Sequence, residues 1–393
     1  MRILHWVGPG TIPPRLDGYP TSGVVRVALE IASRQAQKGD DVTVAGIRSD
    51  ATSYQWKGVE IRGVKPLRWA KAHALGREWD FRQHVALLRV TRERHWDIVH
   101  THMYHYVRFV PTDLRVVHIH SNPDVNGDAQ GFQRLDKDAD LIVAVSPFVA
   151  NRLRDVMKTP VVVVSNAIDQ VLELSEAQRV ERRKALRAQV GLADDAFLFF
   201  FAGAFVPEKG LDILIQAFEP TAAAGAHLLL AGDETLWGNA TSRVATPYGA
   251  QIKRLLNSDR LAGHVHLLGK LPPEDMALLY DGGDVAVIPS TWDEGFCLVA
   301  LEAMAHGKTV VASRSGALND LVGNGRGILV DKADGEALSR VLLHVMRDGA
   351  LRARTSRLAR EYARQFSWED SLDGLYKSYQ MAMTRQSRTK RPV

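Results

Sequence analysis

The densest chemistry in the chain lies in Glu294-Gly295-Phe296-Cys297-Leu298-Val299-Ala300-Leu301-Glu302, where two carboxylates are separated by seven residues. Ahead of them, Asp284-Val-Ala-Val-Ile-Pro289-Ser290 reads as a short buried strand that a proline ends. The pattern predicts a loop over 291–295, then an apolar helix from Phe296 through His306, stopped at Gly307. Glu294 therefore belongs to the loop and Glu302 to the helix. Gly295 has no Cβ, so the backbone there can approach a ligand closely. Free amides at Phe296, Cys297 and Leu298, at a helix start, favour an anion. Such a mixture suits a ligand that is part polyol and part phosphate, as a sugar nucleotide is. Cys297 reads as a small residue lining the pocket, because no base lies near it in sequence to make it a nucleophile.

The elements that must hold these residues follow from short Val/Ile-rich runs alternating with helical spacing, the pattern of a parallel, doubly wound sheet. Strands are expected at Ile3–Val7, Val42–Ala45, Val59–Gly63, Asp97–Thr101, Arg115–Ile119, Asp140–Val145 and Val161–Val164, with a first helix from Val24 to Lys38. Residues 170–195 are charged and helical in character and read as a connector. A second series follows at Phe197–Ala202, His227–Ala231, His264–Leu268, Asp284–Pro289, Thr309–Ala312 and Gly327–Val330. The expected plan is α/β: two Rossmann-like doubly wound domains, 1–169 and 196–367, facing a crevice at the carboxyl ends of their strands. A last helix is expected over 368–383, ahead of a basic tail over 384–393.

A chain of 393 residues is long enough for two domains. One cysteine excludes an internal disulfide framework and fits a reducing compartment. No window reaches the ~18 apolar residues that a membrane span requires, and the N-terminus is too short for a signal core. The expectation is a cytoplasmic protein whose only membrane contact is peripheral. The net charge is +5. Between Arg62 and Arg94, nine basic residues stand against three acidic ones, with Trp69, Trp79 and Phe81 among them. That surface suits an anionic membrane or a phosphate-bearing acceptor. No nucleic-acid motif accompanies it. A solvated helix face is the plain alternative.

Histidines recur at His100, His102, His105, His118 and His120, and spacing of two along a strand puts side chains on one face. No cysteine or acidic residue completes a zinc set, so they read as pocket histidines with no metal expected. Asp138-Ala139-Asp140 has the form of a metal-binding DxD, but Asp140 opens a strand and the pair reads as structural.

The two glutamates, with Glu302-Ala303-Met304-Ala305 and Gly307-Lys308-Thr309-Val310-Val311, resemble the donor-site signature of retaining glycosyltransferase family 4. Phe201-Ala-Gly203-Ala204-Phe205-Val-Pro207-Glu208-Lys209-Gly210 resembles its second signature, in which an arginine and a lysine grip the donor diphosphate. Lys209 matches the lysine, but Ala204 stands where the arginine belongs. Arg314 is the expected substitute. The resemblance extends to Gly23, to His120 in Val117-His118-Ile119-His120, to Gly269 and Leu271 in Leu268-Gly269-Lys270-Leu271, and to the turn Gly316-Ala317-Leu318-Asn319-Asp320. It implies a GT-B, metal-independent enzyme without a cofactor, whose last helix, 368–383, packs back on the first domain. Its donor would be a UDP- or GDP-sugar and its acceptor a glycan or lipid-linked molecule in polysaccharide or lipopolysaccharide synthesis.

The roles are likewise those the resemblance implies. Glu294 accepts hydrogen bonds from sugar hydroxyls, Glu302 holds the ribose, Lys209 and the amides of residues 295–298 stabilise the diphosphate, and His120 touches the transferred sugar. Gly23, Gly269 and Leu271 give backbone contacts. Two other functions use the same crevice: a nucleotide-sugar epimerase or phosphorylase, and a sugar-nucleotide-binding partner subunit without turnover, which Ala204 suggests.

Overall fold

The computed structural model describes residues 1–9, 12, 22–48, 52–65, 78–103, 107, 109–123, 135–233 and 246–389, with backbone only at 9, 78–83 and 388–389. The sequence readings at Arg68, Trp69, Lys71, Arg77, His105, Lys390 and Arg391, and at the side chains of Trp79, Phe81, Arg82 and Arg388, lie outside the described residues. The chain divides into two units: Met1–Asn166 with Trp368–Val393, and Ala167–Ser367.

Among the described residues, eight strands form the sheet of the first unit: β1 (Arg2–Pro9), β2 (Asp41–Ile47), β3 (Ser53–Trp56), β4 (Val59–Val64), β5 (Ile98–Thr101), β6 (Leu114–Ile119), β7 (Leu141–Ala144) and β8 (Val161–Val163). Their order is β3-β4-β2-β1-β5-β6-β7-β8, and β3 is antiparallel to β4. β3 is a correction to the sequence reading. It is short, polar and half-exposed, so it lacks an apolar run. Its signal was the turn Lys57-Gly58, where both residues have positive φ (47° and 81°), as a tight hairpin requires. The helix Trp368–Thr389 runs past the expected end at 383 and packs on the helix Gly23–Gln37. Arg34 lies over the Trp368 ring at 4.7 Å, Lys38 pairs with Asp373 at 3.2 Å, and the Tyr376 hydroxyl donates to Asp40.

The second unit has a six-stranded, all-parallel sheet: β9 (Leu198–Ala202), β10 (His227–Ala231), β11 (Val265–Gly269), β12 (Val285–Ile288), β13 (Thr309–Ser313) and β14 (Ile328–Val330), in the order β11-β10-β9-β12-β13-β14. Its central strands, β9, β10, β12 and β13, are apolar on both faces because helices cover both. Phe199, Leu214, Phe218, Leu228, Val285 and Val311 meet in one buried cluster. Strand order reverses at β1/β5 in one unit and at β9/β12 in the other, the switch points where open parallel sheets leave room for ligands.

Within the stretch read as a connector, Glu176–Gln189 is a helix of the second unit, started by a Ser175/Gln178 capping box. It packs on the helix Pro273–Gly282, where a Cβ at Gly282 would meet the Leu186 Cβ at 2.6 Å. Arg187 is fully buried. Its guanidinium donates to the carbonyls of Ala196, Arg183 and Gly282 and pairs with Asp284 at 2.8 Å. Arg187→Leu strips those carbonyls of their donor and removes one of two guanidinium partners from Asp284. Unfolding of the second unit in urea is expected to be easier by about 3 kcal/mol or more.

Candidate functional site

Both halves of the donor signature stand at the β9/β12 switch point of the second unit. After β9 the chain turns through Gly203 and a single 3-10 turn, Pro207–Lys209, before the helix Leu211–Ala223. After β12 it runs through Pro289–Cys297 into the helix Leu298–Ala305. The two loops are stitched by backbone. The Thr291 amide donates to the Glu208 carbonyl at 2.9 Å, and the Thr291 hydroxyl to the Pro207 carbonyl at 3.1 Å. Gly210 has φ 63°, and a Cβ there would come within 2.1 Å of the Pro289 oxygen, so only glycine permits the contact.

This stitching brings Lys209 Nζ to 2.7 Å from Glu294 Oε1, with little of either side chain exposed. Ser290 Oγ donates to the same oxygen at 2.5 Å, and Lys209 lies 5.4 Å from the Trp292 ring centre. Burial alone pushes the Glu294 carboxyl up. The Lys209 ammonium and the hydrogen bonds outweigh it and hold the carboxyl below its ordinary value. Burial likewise pushes Lys209 down, and Glu294 more than offsets it. The pair is therefore ionised.

A third loop clamps Glu294 from the β13 side. The Ala317 amide donates to the Glu294 carbonyl at 2.9 Å, the Glu294 amide to Ser315 Oγ at 3.2 Å, and the Gly316 amide to Asp293 at 3.0 Å. Lys332 closes on the same Asp293 oxygen at 2.8 Å. Glu302, 9% exposed, accepts a hydrogen bond from the Tyr280 hydroxyl at 2.7 Å.

Several readings shift. The helix expected from Phe296 begins at Leu298, because Cys297 has φ 106° and breaks the helical path. Residues 296 and 297 are thus loop, not first turn. Burial pushes the Cys297 thiol up to about 12, with Glu294 adding, so it is a thiol and no nucleophile. Arg314 is exposed and paired with Asp331 at 3.1 Å, while Ala204 is buried. Gly295 and Phe296 are buried, Leu298 and Leu271 half-buried, and Gly269 ends β11 at φ 66°. Asp140 is fully engaged by Arg115 at 2.8 and 2.9 Å, a structural pair. Arg62 and Arg94 of the basic stretch pair with Glu93 and Asp41.

In the first unit, Gly23 opens the helix Gly23–Gln37. His120, just past β6, is one of five histidine rings packed together with His5, His100, His102 and His118. Ring nitrogens of His102, His118 and His120 lie within 4.8 Å of one another, as do those of His5, His100 and His102. The more exposed trio His95, Asp97 and Asp113 has the same spacing, and the five packed rings are already bonded to one another. His5 and His118 sit mid-strand, where an apolar residue is the usual occupant. Sequence reasoning passed over His5.

Residues 21–171 match the family model Glycosyltransferase Family 4, and residues 182–362 match Glycosyl transferases group 1. A D-inositol 3-phosphate glycosyltransferase of a Nocardioides species is 30% identical over 415 residues, covering 94% of this chain and 87% of the relative. The chain belongs to glycosyltransferase family 4. An uncharacterized glycosyltransferase of Methanocaldococcus jannaschii is 28% identical over 250 residues, 63% of the family 4 chain and 62% of the relative, which is thus matched over less than two thirds of its length. A lipopolysaccharide 1,2-N-acetylglucosaminetransferase of Salmonella typhimurium is 34% identical over 142 residues, 36% of each. The fold is GT-B. Sucrose-phosphate synthase of Thermosynechococcus elongatus superposes with a TM-score of 0.78 at 20% identity, over 98% of this chain and 100% of that one. HepE of Anabaena, in complex with UDP and glucose, superposes with a TM-score of 0.72 at 20% identity and the same coverage.

Two measurements test this geometry. A Cβ at Gly316 (φ 51°) would meet the Glu294 carbonyl oxygen at 2.3 Å, whereas one at Gly263 (φ 75°) meets nothing within 4 Å. Gly263→Ala is expected to cost about 1 kcal/mol through backbone strain alone, and Gly316→Ala about 3 kcal/mol, read from urea midpoints. The second concerns pH. Burial lowers His5 from 6.5 to about 4 and His120 to about 3, and lowers His100, His102 and His118 as well. The unfolded chain therefore binds these protons first as pH falls. Stability is full above 6.5 and is lost on going down toward 4, His5 alone accounting for about 3 kcal/mol. Thermal melts between pH 7.5 and 4.5 should show the loss, and His5→Phe should flatten it.

Proposed function

We propose that this chain moves a sugar from a nucleotide-diphosphate donor to a glycan or lipid-linked acceptor, with retention at the anomeric carbon and without a metal. The observation that carries the reading is the buried, ionised Lys209–Glu294 pair at the β9/β12 switch point. A carboxylate is the acceptor that sugar hydroxyls require. An ammonium beside it offers positive charge where a departing diphosphate becomes more negative. Glu302, oriented by Tyr280, is assigned to the ribose, and Gly269 and Leu271 to backbone contacts with the base. His120 is assigned to the transferred sugar. With Cys297 a neutral thiol and Glu294 already engaged by Lys209 and Ser290, no nucleophile is free for a glycosyl-enzyme among the described residues near the pair. Front-face attack, with the leaving phosphate taking the acceptor proton, fits that arrangement.

HepE bound to UDP and glucose supports a UDP-sugar donor, and the Salmonella relative supports an acceptor in cell-surface polysaccharide or lipopolysaccharide synthesis. Among the described residues no helix is long and apolar enough to cross a membrane. A lipid-linked acceptor would then be met by peripheral contact through the basic stretch 62–94.

The test is a thermal-shift screen against UDP-, GDP- and ADP-sugars in EDTA, followed by turnover with the best binder. A UDP-sugar is expected to raise the melting temperature, EDTA to leave turnover intact, and NMR of the product to show the donor's anomeric configuration. Glu294→Gln and Lys209→Met should each lower kcat/KM about 100-fold or more. Arg314→Ala should weaken donor binding if Arg314 replaces the arginine missing at Ala204. Absence of any sugar-nucleotide binding would overturn the reading. Binding without turnover would favour a partner subunit.

A further inference from the structure

The five histidines of the first unit are arranged in two hydrogen-bonded chains, and one of them ends at His120. Gln35, on the buried face of the helix Gly23–Gln37, places Oε1 2.7 Å from His5 Nε2. His5 Nδ1 lies 2.9 Å from His102 Nε2, and His102 Nδ1 lies 2.9 Å from His120 Nε2. Gln35 and His5 have no exposed surface, His102 is 3% exposed, and His120 is half-buried. The first three are thus almost wholly withdrawn from solvent. The second chain runs from the Tyr379 hydroxyl to His100 Nδ1 at 2.6 Å and from His100 Nε2 to His118 Nδ1 at 3.2 Å.

A neutral imidazole carries one N–H and one bare nitrogen. In a chain of such rings each bond needs one of each, so the direction chosen at one end is forced on every ring after it. The carbonyl oxygen of Gln35 can only accept. His5 must then hold its proton on Nε2 and leave Nδ1 bare. His102 must donate from Nε2 to that nitrogen and leave its own Nδ1 bare. His120 must donate from Nε2 in turn. We propose that Gln35 acts through His5 and His102 to fix the tautomer of His120, leaving His120 Nδ1 as an obligate hydrogen-bond acceptor. Resting on the assignment of His120 to the transferred sugar, this makes Nδ1 the acceptor for a sugar hydroxyl and makes Gln35, His5 and His102 positioning residues.

Charging His5 or His102 would set N–H against N–H, and charging His120, the last ring, would turn its Nδ1 from an acceptor into a donor. Burial, which lowers all three histidines, keeps that state out of reach near neutral pH. The only other self-consistent arrangement has the Gln35 amide reversed. Its NH₂ would then donate to His5, every bond would invert, and His120 would present Nδ1–H.

The experiment reads the tautomer directly. The full chain, labelled with ¹⁵N at histidine, is examined by long-range ¹H–¹⁵N correlation at pH 7.5 without substrate, and His120 is assigned by its loss in His120→Asn. The expected result is a protonated Nε2 and a bare Nδ1 for His120 in the wild type. Gln35→Met, whose thioether is only a weak acceptor, should give His120 signals of both tautomers. A protonated Nδ1 in the wild type overturns the proposal, as does an unchanged single tautomer in Gln35→Met. Should Gln35→Met not fold, the wild-type spectrum decides by itself. His120→Asn keeps an amide oxygen near the place of Nδ1 and should retain at least ten times the kcat/KM of His120→Leu at similar KM. Because the spectrum needs no substrate, failure of the transferase reading shows separately, as absence of turnover in a wild type whose tautomer is as expected.

Discussion

A lysine ammonium and a glutamate carboxylate 2.7 Å apart, both withdrawn from water, set the terms for the rest of the second unit. Neither ion tolerates burial without the other. The turn after β9 and the loop after β12 must therefore meet, and two glycines let them. Gly210 admits the Pro289 carbonyl and Gly316 admits the backbone of Glu294. Adjacency of β9 and β12 at the point where strand order reverses is what makes the meeting geometrically available. The opposite, amino-terminal ends of the strands carry the structural load, where Arg187 ties Asp284 to the helix Glu176–Gln189.

The first unit uses its own switch point in another way. His5 and His100 face each other in register on β1 and β5, and His118 follows on β6. Sheet centres normally exclude polar side chains unless each atom finds a partner. Here the rings largely supply one another's partners, with Gln35 and Tyr379 closing the ends. The His118 Nε2 and Gln35 Nε2 atoms are left over.

Much of this was legible beforehand, for stated reasons. Parallel strands buried on both faces write themselves as Val/Ile/Leu runs, so thirteen of the fourteen strands among the described residues correspond to sequence expectations within a residue or two. The positions of Glu294 and Lys209 after strand ends, and of Glu302 within a helix, were legible because buried strands and apolar helices mark their own ends. What escaped has its own physics. A half-exposed hairpin strand such as Ser53–Trp56 has no apolar signature. The left-handed φ of Cys297 belongs to a residue type that rarely adopts it, so the pattern extended the helix two residues too far. Gln35 and Arg187 are polar residues at buried helical positions, where a polar letter ordinarily marks the solvent face. The pairing of Arg314 with Asp331 depends on a contact seventeen residues away that spacing does not encode.

The stitching of the loops has a thermodynamic consequence. Thr291, Gly210, Gly316 and Ala317 make their contacts through backbone atoms, or to them, before any ligand arrives. The conformational entropy of assembling the three loops is spent once, during folding, and is charged to the stability of the unit instead of to association. A ligand entering beside Lys209 and Glu294 meets a pre-formed surface, so its affinity reports the contacts it makes with little subtracted for ordering the protein.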